Sequence, residues 1–359
     1  GTIRGFSQTL ALGIIISMFT ALVVTRVILM SFVELGATNK ALYGRDYHVK
    51  VFDIVKRRKT WFAISLAIIL LGLIMLPVHK GTDGAFLNYD IEFMGGTSTL
   101  VTTNEVVYDT LEELQEGVRD LVVEATGDDT PQMNIVKGID GAGQFVIKTK
   151  ELDTETGMDL REALMAKFSI SAENIESENI SATISTEMRR DAIIAVIIAS
   201  IGILIYISMR FHDFRFGVAA VIALIHDVFI VFTVYSVLFI PVNNSFIAAM
   251  LTIVGYSIND TIVLFDRVRD NQKTMKHGDY HGVINTSISQ IISRSINTSL
   301  TTFIMVFVLN LLGVASIREF ALPLMVGIIS GTYSSIFIAS PLWYVLKKKE
   351  EAKIQNAQK

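Results

Sequence analysis

Residues 246–265 read FIAAMLTIVGYSINDTIVLF, and they indicate the class of fold more clearly than any other part of the chain. A helix of about 20 apolar residues crosses the roughly 30 Å of hydrocarbon in a bilayer. This run matches that length and carries one charged side chain, that of Asp260. It therefore predicts a membrane-spanning helix with a carboxyl group inside the membrane.

Six further apolar stretches accompany this one. The 359 residues are 51% hydrophobic and 18% charged, whereas soluble domains are about 25% charged. The charged residues lie mainly between the apolar stretches, which is typical of a multi-spanning membrane protein rather than of a large soluble core. The six stretches are Leu10–Met30, Trp61–Val78, Ala192–Met209, Gly217–Ile240, Ile296–Gly313 and Phe320–Leu346.

The basic residues of the short connections indicate the orientation. Lys and Arg concentrate between the first two stretches, at 210–215, at 267–276 and after residue 346. Because such residues favour the cytoplasmic side, we expect the C-terminus inside and the long acidic segment outside. The predicted layout is a transmembrane helix over 1–30, a cytoplasmic linker over 31–59, a transmembrane helix over 60–78, an extracytoplasmic domain over 79–188, a five-helix bundle over 189–346 and a basic cytoplasmic tail over 347–359.

The extracytoplasmic segment has the pattern of a small α+β domain. Alternating apolar residues predict strands over Asn88–Phe93, Thr97–Thr103, Met133–Val136, Gln144–Thr149 and Ile175–Ile184. Helical spacing predicts helices over Asp109–Ala125 and Leu160–Phe168, with a turn over Gly138–Gly143. The order ββαββαβ, or βαββαβ if the first two strands are one bent strand, fits a ferredoxin-like sandwich. Such a domain is either a loop-side module without a catalytic role or a peptide-binding or gating domain.

The same sequence pattern occurs in two distant parts of the chain. The pattern Ile3-Arg4-x-Phe6-x-x-x-Leu10-x-x-Gly13-Ile14-Ile15 recurs as Ile317-Arg318-x-Phe320-x-x-x-Leu324-x-x-Gly327-Ile328-Ile329. Two spans that begin alike indicate two homologous halves, with shared apolar composition as the alternative. The chain has neither a start Met nor a signal peptide, so we expect it to be part of a longer protein.

Asp260 is the first candidate for a functional residue. A carboxylate near the centre of a membrane helix costs roughly 2.5–3.5 kcal/mol, so such groups usually face a bundle interior and mark ion or proton paths. Asn259 and Ser257 beside it offer hydrogen bonds, and Tyr256 lies one turn away. The alternative is a structural carboxylate satisfied by a neighbour.

Arg294 is the expected partner of Asp260. It opens an otherwise uncharged span and is followed by hydroxyl and amide side chains that include Thr298 and Ser299. Such a run suits a wet path or hydrogen bonds across helices. The alternative is an interfacial arginine that reaches the cytoplasmic surface.

His226 and Asp227 place two more titratable groups inside a predicted span. An imidazole titrates near neutral pH and suits a proton relay. Adjacent helical residues point about 100° apart, so we expect at most one of the two to face a given partner. The alternative is a hydrogen-bonded pair that packs helices.

The sequence argues against several other function classes. It has no Cys, which excludes disulfides and thiolate metal sites. It contains no G-x-S-x-G, Walker or H-E-x-x-H motif, so no enzyme is indicated. No basic patch interleaved with aromatic residues suggests nucleic-acid binding.

With these residues in view, the chain resembles the SecF part of the SecDF protein-export family, within the resistance-nodulation-division superfamily. The strongest match is Gly255-Tyr256-Ser257-Ile258-Asn259-Asp260-Thr261-Ile262-Val263-Leu264-Phe265-Asp266-Arg267, which resembles the signature of the family's fourth SecF helix. Further matches are Arg294-Ser295-Ile296-Asn297-Thr298-Ser299, Tyr206-x-x-x-Arg210-Phe211, His226-Asp227 and Phe93-x-Gly95-Gly96-Thr97. Residues 1–30 are similar to the last helix of SecD, whereas most of the SecD half has no counterpart here.

The resemblance implies an auxiliary component of the Sec machinery that couples a proton or sodium gradient to export, without enzymatic activity and without a cofactor beyond the ion. The resemblance places Asp260 and Arg294 at ion-conducting positions. The full relay that we predict from the residues and the resemblance together is Asp260, Arg294, Asn259, His226 and Asp227, supported by Gly255, Tyr256, Ser257, Thr298 and Ser299. Implied partners are the remaining SecD half, the SecYEG channel, a YidC-type insertase, unfolded secretory polypeptides and lipid of the bacterial cytoplasmic membrane. Two other functions stay open, namely a small-molecule or lipid exporter of the same superfamily and a non-transporting scaffold subunit.

Overall fold

The computed structural model describes residues 2–39, 51–82, 85–108, 110–137, 143–276, 278–313 and 315–357. They fall into two compact units, Gly1–Phe52 and Asp53–Lys359. Within the described ranges, 7 helices are long and apolar enough to cross a membrane, one in the first unit and the others in the second. This confirms the predicted multi-spanning helical class.

The first unit is built around one interrupted helix. Helix α1 (Thr2–Phe19) continues through a π turn (Thr20–Val24) into α2 (Thr25–Glu34). The main-chain N–H and the hydroxyl of Thr25 both donate to the carbonyl oxygen of Thr20, which stabilises the wider turn. Gly36, with φ of 97°, follows the helix in the left-handed conformation common after helix ends.

The second unit contains a helical bundle with the α+β domain inserted into it. Its elements, in chain order, are α3 (Arg58–Thr82), α4 (Ile91–Met94), β1 (Gly96–Thr103), α5 (Leu111–Thr126), β2 (Gln132–Lys137), β3 (Gly143–Thr149), α6 (Thr154–Phe168), β4 (Ile175–Ile180), α7 (Ala182–Phe211), α8 (Phe214–Leu238), α9 (Asn244–Thr274), α10 (Tyr280–Leu312), α11 (Ala315–Ser334) and α12 (Ser340–Ala357). A π turn over Ser335–Ala339 joins α11 to α12. The last predicted span therefore corresponds to α11, this turn and α12 together.

The α+β domain has the ferredoxin-like topology that the sequence predicts. Its antiparallel sheet has the strand order β2-β3-β1-β4, and its elements follow as βαββαβ. One face of the sheet packs against α5 and α6 through a closed apolar core. The core includes Val101, Leu114, Val118, Phe145, Ile147, Leu160 and Leu164.

Two predicted strands of this domain need correction. Residues Asn88–Phe93 do not form a strand, because the side chain of Asp90 caps the N–H of Ile91 and starts the short helix α4. The last strand ends at Ile180 and not at Ile184, because the side chain of Ser181 caps the start of α7. Most of the predicted turn over Gly138–Gly143 lies outside the described residues.

Helices α9 and α11 approach each other through small residues. A Cβ atom on Gly327 would overlap the side chain of Ile253, and a Cβ atom on Gly331 would lie 3.0 Å from Cβ of Ser257. Glycines four residues apart share one helix face, and this small-xxx-small pattern lets membrane helices pack closely. The close packing places the polar side chains of α9 directly against α11.

Candidate functional site

Asp227 of α8 lies in a cluster of hydroxyl groups from two neighbouring helices. Its side chain is 1% exposed. Oδ2 accepts hydrogen bonds from Ser257 Oγ of α9 at 2.6 Å and from Ser334 Oγ of α11 at 2.7 Å. Oδ1 accepts another from Ser330 Oγ of α11 at 2.6 Å. Since hydrogen bonds to a charged group contribute about 1.5–3 kcal/mol each, this carboxylate ties α8, α9 and α11 together.

His226 is a further neighbour of the same carboxylate. Its Nδ1 lies 3.0 Å from Oδ1 of Asp227, and its ring stacks on Tyr333 with 5.9 Å between ring centroids. The two side chains thus form the hydrogen-bonded pair that the sequence offered as the alternative to a relay, since 100° separates their Cα–Cβ bonds and not the ends of the side chains. Nε2 of His226 is buried without a hydrogen-bond partner among the described residues.

Asp260 lies on α9 one turn after Ser257 and has far fewer contacts than Asp227. It is 7% exposed. Its carboxylate accepts one hydrogen bond from the described residues, which comes from Ser299 Oγ of α10 at 3.4 Å. Ser299 in turn accepts a hydrogen bond from Thr332 Oγ1 of α11 at 2.6 Å. A short polar chain thus connects the acid of α9 to α10 and α11.

Hydroxyl groups of α11 are hydrogen-bonded to Asp227 directly and are linked to Asp260 through Ser299. Ser330 and Ser334 donate to Asp227, and Thr332 contacts the serine that donates to Asp260. Ser335 lies at the start of the π turn and shares a 2.8 Å hydrogen bond with Thr261 of α9. Turns of this kind occur frequently at functional sites.

The prediction from sequence missed these α11 residues. The available signal was the run Ser330-Gly331-Thr332-Tyr333-Ser334-Ser335, in which polar side chains interrupt an otherwise apolar span. The spacing of Ser330 and Ser334 places both hydroxyls on one helix face. The sequence alone did not show that this face meets Asp227.

The expected ion pair between Arg294 and Asp260 does not form in this structure. The Arg294 side chain is exposed, and no carboxylate oxygen of the described residues lies within 4.0 Å of its guanidinium group. The reason is geometric, since Ser299 is the α10 residue that faces Asp260 and Arg294 lies about 140° around the helix from it. Arg294 still acts on Asp260 as a nearby positive charge.

The other predicted relay residues do not join the buried centre. Gly255 and Asn259 lie on an exposed side of α9, while Arg294 and Thr298 lie on an exposed side of α10. Tyr256 Oη donates to the carbonyl oxygen of Thr298 at 3.5 Å, so the two sides adjoin. We call the set Asn259, Arg294, Asn297 and Thr298 the exposed polar face. Polar groups inside a span rarely face lipid, so this face indicates further protein or water beside it.

An apolar cavity of about 380 Å³ lies between α10 and α11. Its wall includes Ser299, Thr332 and Tyr333. Because Ser299 also donates to Asp260, the cavity is separated from this acid by one side chain. The other lining residues are Ile292, Ile296, Leu300, Phe303, Ile328, Ile329, Ile336 and Phe337. No group of three His, Cys, Asp or Glu side chains suited to a metal ion occurs in the described parts of the chain.

The spans, the inserted ferredoxin-like domain and the buried carboxylates define a polytopic membrane protein with a polar centre inside its bundle. The profile of the family described as "Protein export membrane protein SecD/SecF, C-terminal" matches residues 160–349. The chain belongs to this SecD/SecF family, and its resemblance to the SecF part is thereby confirmed.

Curated relatives and solved structures agree with this assignment. The chain is 37% identical to a protein translocase subunit SecDF of Thermus thermophilus, over 100% of this chain and 46% of that protein. It is 39% identical to a protein translocase subunit SecF of Petrotoga mobilis, over 85% of this chain and 99% of that protein. A crystal structure of SecDF from Thermus thermophilus matches 97% of this chain and 45% of that one, with a TM-score of 0.80 and 34% identity. The chain thus spans about half the length of the SecDF relatives and nearly all of the SecF relative.

Proposed function

We propose that this chain is the SecF-like part of a membrane motor that couples a proton or sodium gradient to the export of secreted polypeptides. The observation that carries the proposal is the setting of Asp260, a buried acid inside a candidate span, whose carboxylate accepts one hydrogen bond from the described part of the chain, at 3.4 Å. An ionised carboxylate has about four lone-pair sites, so most of its acceptor capacity is free for a proton or a cation. Both carboxylate oxygens of Asp227, in contrast, accept hydrogen bonds from serine hydroxyls, and this residue holds the helices together.

Ion exchange at Asp260 changes how α9 interacts with α10. The ionised acid attracts Arg294 and accepts from Ser299, and the protonated acid loses the attraction to Arg294. One proton that crosses about 150 mV releases roughly 3.5 kcal/mol. A shift of a two-state population from 1:99 to 99:1 takes about 5.5 kcal/mol, so one proton biases the switch and two complete it.

The α+β domain is the part that would act on the exported chain, and we refer to it from here on as the outer domain. The distribution of Lys and Arg favours its position outside a bacterial cytoplasmic membrane, with the C-terminus in the cytoplasm. Proposed partners are the remaining SecD half, the SecYEG channel, a YidC-type insertase and unfolded secretory polypeptides. The exposed polar face supports the first of these, because the face requires a protein or water neighbour within the membrane.

The proposal is tested by gradient-dependent export into inverted membrane vesicles that contain the full-length protein. We expect Asp260→Asn to reduce the gradient-dependent part of export to the level of vesicles without the protein. Asp191→Asn is the matched control, because this acid of α7 is 68% exposed and pairs with the adjacent Arg190 at 3.2 Å. Wild-type export by Asp260→Asn would refute the proposed role.

A further inference from the structure

The segment Asn88–Met94, which we call the strap, is bonded to the loop that leads into α9. The carbonyl oxygen of Asn88 accepts from the N–H of Val242 at 2.7 Å, and the N–H of Asp90 donates to the carbonyl oxygen of Val242 at 3.0 Å. The side-chain amide of Asn88 donates to the carbonyl oxygen of Phe239 at 2.9 Å. The strap therefore adds a short parallel pairing between the outer domain and the bundle.

Glu92 extends this connection to α9 itself. Its Oε2 accepts a hydrogen bond from the main-chain N–H of Asn244, the first residue of α9. The first N–H groups of a helix have no partner within the helix and carry positive partial charge, so an acceptor oxygen there is favourable, and a carboxyl group offers one in either protonation state. The same helix carries Asp260, about four turns further along.

Asn243 brings α11 into the same cluster. Its Oδ1 caps α9 by accepting from the N–H of Phe246 at 3.0 Å, and its Nδ2 donates to Oε2 of Glu319 at 2.6 Å. Glu319 lies in the first turns of α11. The outer domain is thus bonded to the start of α9, which supplies Asp260 to the polar centre, and Asn243 in turn bonds this start to α11, which supplies Thr332.

The charges at this junction are predominantly negative. Lys148 of β3 pairs with Asp90 at 2.7 Å, and both groups also act on Glu319. The titratable groups that face Glu92 and Glu319 are Asp90, Glu178, Lys148 and Tyr235.

Burial, followed by the negative charges of Asp90 and Glu178, raises the pKa of Glu92 above its ordinary value, against the hydrogen bond from Asn244. A group whose pKa is raised in the docked arrangement stabilises that arrangement below its ordinary pKa. The stabilisation is lost as the pH rises through the raised pKa.

We propose that Glu92 is a positioning residue in an acid-tightened clasp, through which the strap transmits movement between the outer domain and the helix that carries Asp260. The inference rests on the proposed function, because it names the mechanical link that the proposed motor requires. Its consequence is that the outer domain stays docked when the outer side is acidic and loosens when that side becomes alkaline.

The test is a distance measurement between two spin labels in the full-length protein in lipid nanodiscs. Met158 of α6 and Leu238 of α8 are 61% and 64% exposed, and the chain has no native cysteines, so Met158→Cys and Leu238→Cys provide unique sites once any cysteines elsewhere are removed. We expect one narrow distance distribution at acidic pH. With Glu92→Ala, we expect the undocked population at acidic pH to rise about fivefold, as for the loss of a hydrogen bond between uncharged groups.

Glu176→Ala is the matched control, because it removes an exposed acid of β4 from the same domain. A Glu92→Ala distribution as narrow as that of the control would overturn the inference. Glu92→Gln keeps the shape of the side chain but cannot titrate, so we expect it to remove the broadening that the wild type shows as the pH rises through the raised pKa of Glu92. Retention of that pH dependence by Glu92→Gln would also overturn it.

A parallel export assay separates this inference from the proposed function. We expect Glu92→Ala to lower gradient-driven export while proton flux persists, and Asp260→Asn to abolish both while the docked distance persists. If Asp260→Asn exports normally, the proposed function fails, and the distance measurement still decides whether Glu92 holds the outer domain.

Discussion

Two acids, Asp227 and Asp260, lie in the centre of the bundle. They differ in the number of hydrogen bonds that their carboxylates accept. Among the residues that the structure describes, Asp227 accepts hydrogen bonds from three serine hydroxyls and lies 3.0 Å from the imidazole of His226, whereas Asp260 accepts one hydrogen bond, from Ser299 at 3.4 Å. A carboxylate filled by donors holds its surroundings in place, and one with free lone pairs can exchange an ion. We therefore expect substitutions at the two positions to have different effects.

Replacement of Asp227 is expected to affect stability. Asp227→Asn puts an amide donor where serine hydroxyls now donate and removes the negative charge, so we expect a loss of about 2–3 kcal/mol in the free energy of unfolding. The measurement is thermal unfolding of the purified full-length protein, compared with the surface substitution Asp191→Asn. Equal unfolding midpoints for the two variants would show that the cluster does not anchor the helices.

At the scale of elements, the glycines of α11 set the distance to α9. Gly327→Ala places a methyl group into the side chain of Ile253, and overpacking of this kind costs about 1–3 kcal/mol. Gly202→Ala in α7 is the control, because among the described residues no atom outside the local helix backbone lies within 4 Å of the added carbon there. We expect unfolding at lower temperature for the first variant only. Similar behaviour of both variants would contradict the close packing of α9 and α11.

Asp128 links two elements of the outer domain in a pH-dependent way. It is buried between the end of α5 and the end of β3, where it accepts from the N–H groups of Lys150 at 2.9 Å and Thr130 at 3.1 Å. Burial alone would raise the pKa of Asp128, but these hydrogen bonds and the charge of Lys150 together hold it below its ordinary value. Its stabilising effect is therefore present above the ordinary pKa and is lost as the pH falls through the lowered one.

Hydrogen exchange of the full-length protein tests this link. We expect protection of the Lys150 amide at neutral pH to decline on acidification below the ordinary range of aspartate. Asp128→Asn should lower the protection at neutral pH and remove the acid dependence, whereas Asp129→Asn at the exposed neighbouring position should leave both unchanged. Protection in Asp128→Asn that equals the wild type would contradict this role.

At the scale of the whole molecule, the exposed polar face of α9 and α10 needs protein or water beside it within the membrane, and we predict that water reaches Asn297. The thiol of Asn297→Cys should react with a small water-soluble reagent in membranes that contain the full-length protein. Ile198→Cys is the control, because this position of α7 is 64% exposed on an apolar side that suits lipid. A thiol at 297 as unreactive as the one at 198 would argue against water at this face.

Features encoded locally could be predicted from the sequence. The spans follow from runs of apolar residues, and Asp260 and Asp227 are conspicuous because each interrupts such a run. The order of the outer domain follows from changes in apolar spacing. The path of the strap before α4 does not, because the main chain of Asn88 and Asp90 bonds to Val242, which is distant in the sequence.

Features that depend on packing between helices could not be predicted. Neither the direction of Arg294 around α10 nor the contact of Ser330 and Ser334 with Asp227 is fixed by spacing along the chain. Each of these features depends on which faces of neighbouring helices pack together, and this packing is known only from the three-dimensional structure.

The exchange of the coupling ion at Asp260 is tested most directly by ion flux into liposomes that contain the full-length protein. An imposed membrane potential drives protons or Na⁺, and an internal dye reports their entry. We expect potential-driven flux with the wild type, and we expect Asp260→Asn to reduce it to the level of protein-free liposomes while Asp191→Asn retains it. Undiminished flux of both ions through Asp260→Asn would contradict the account.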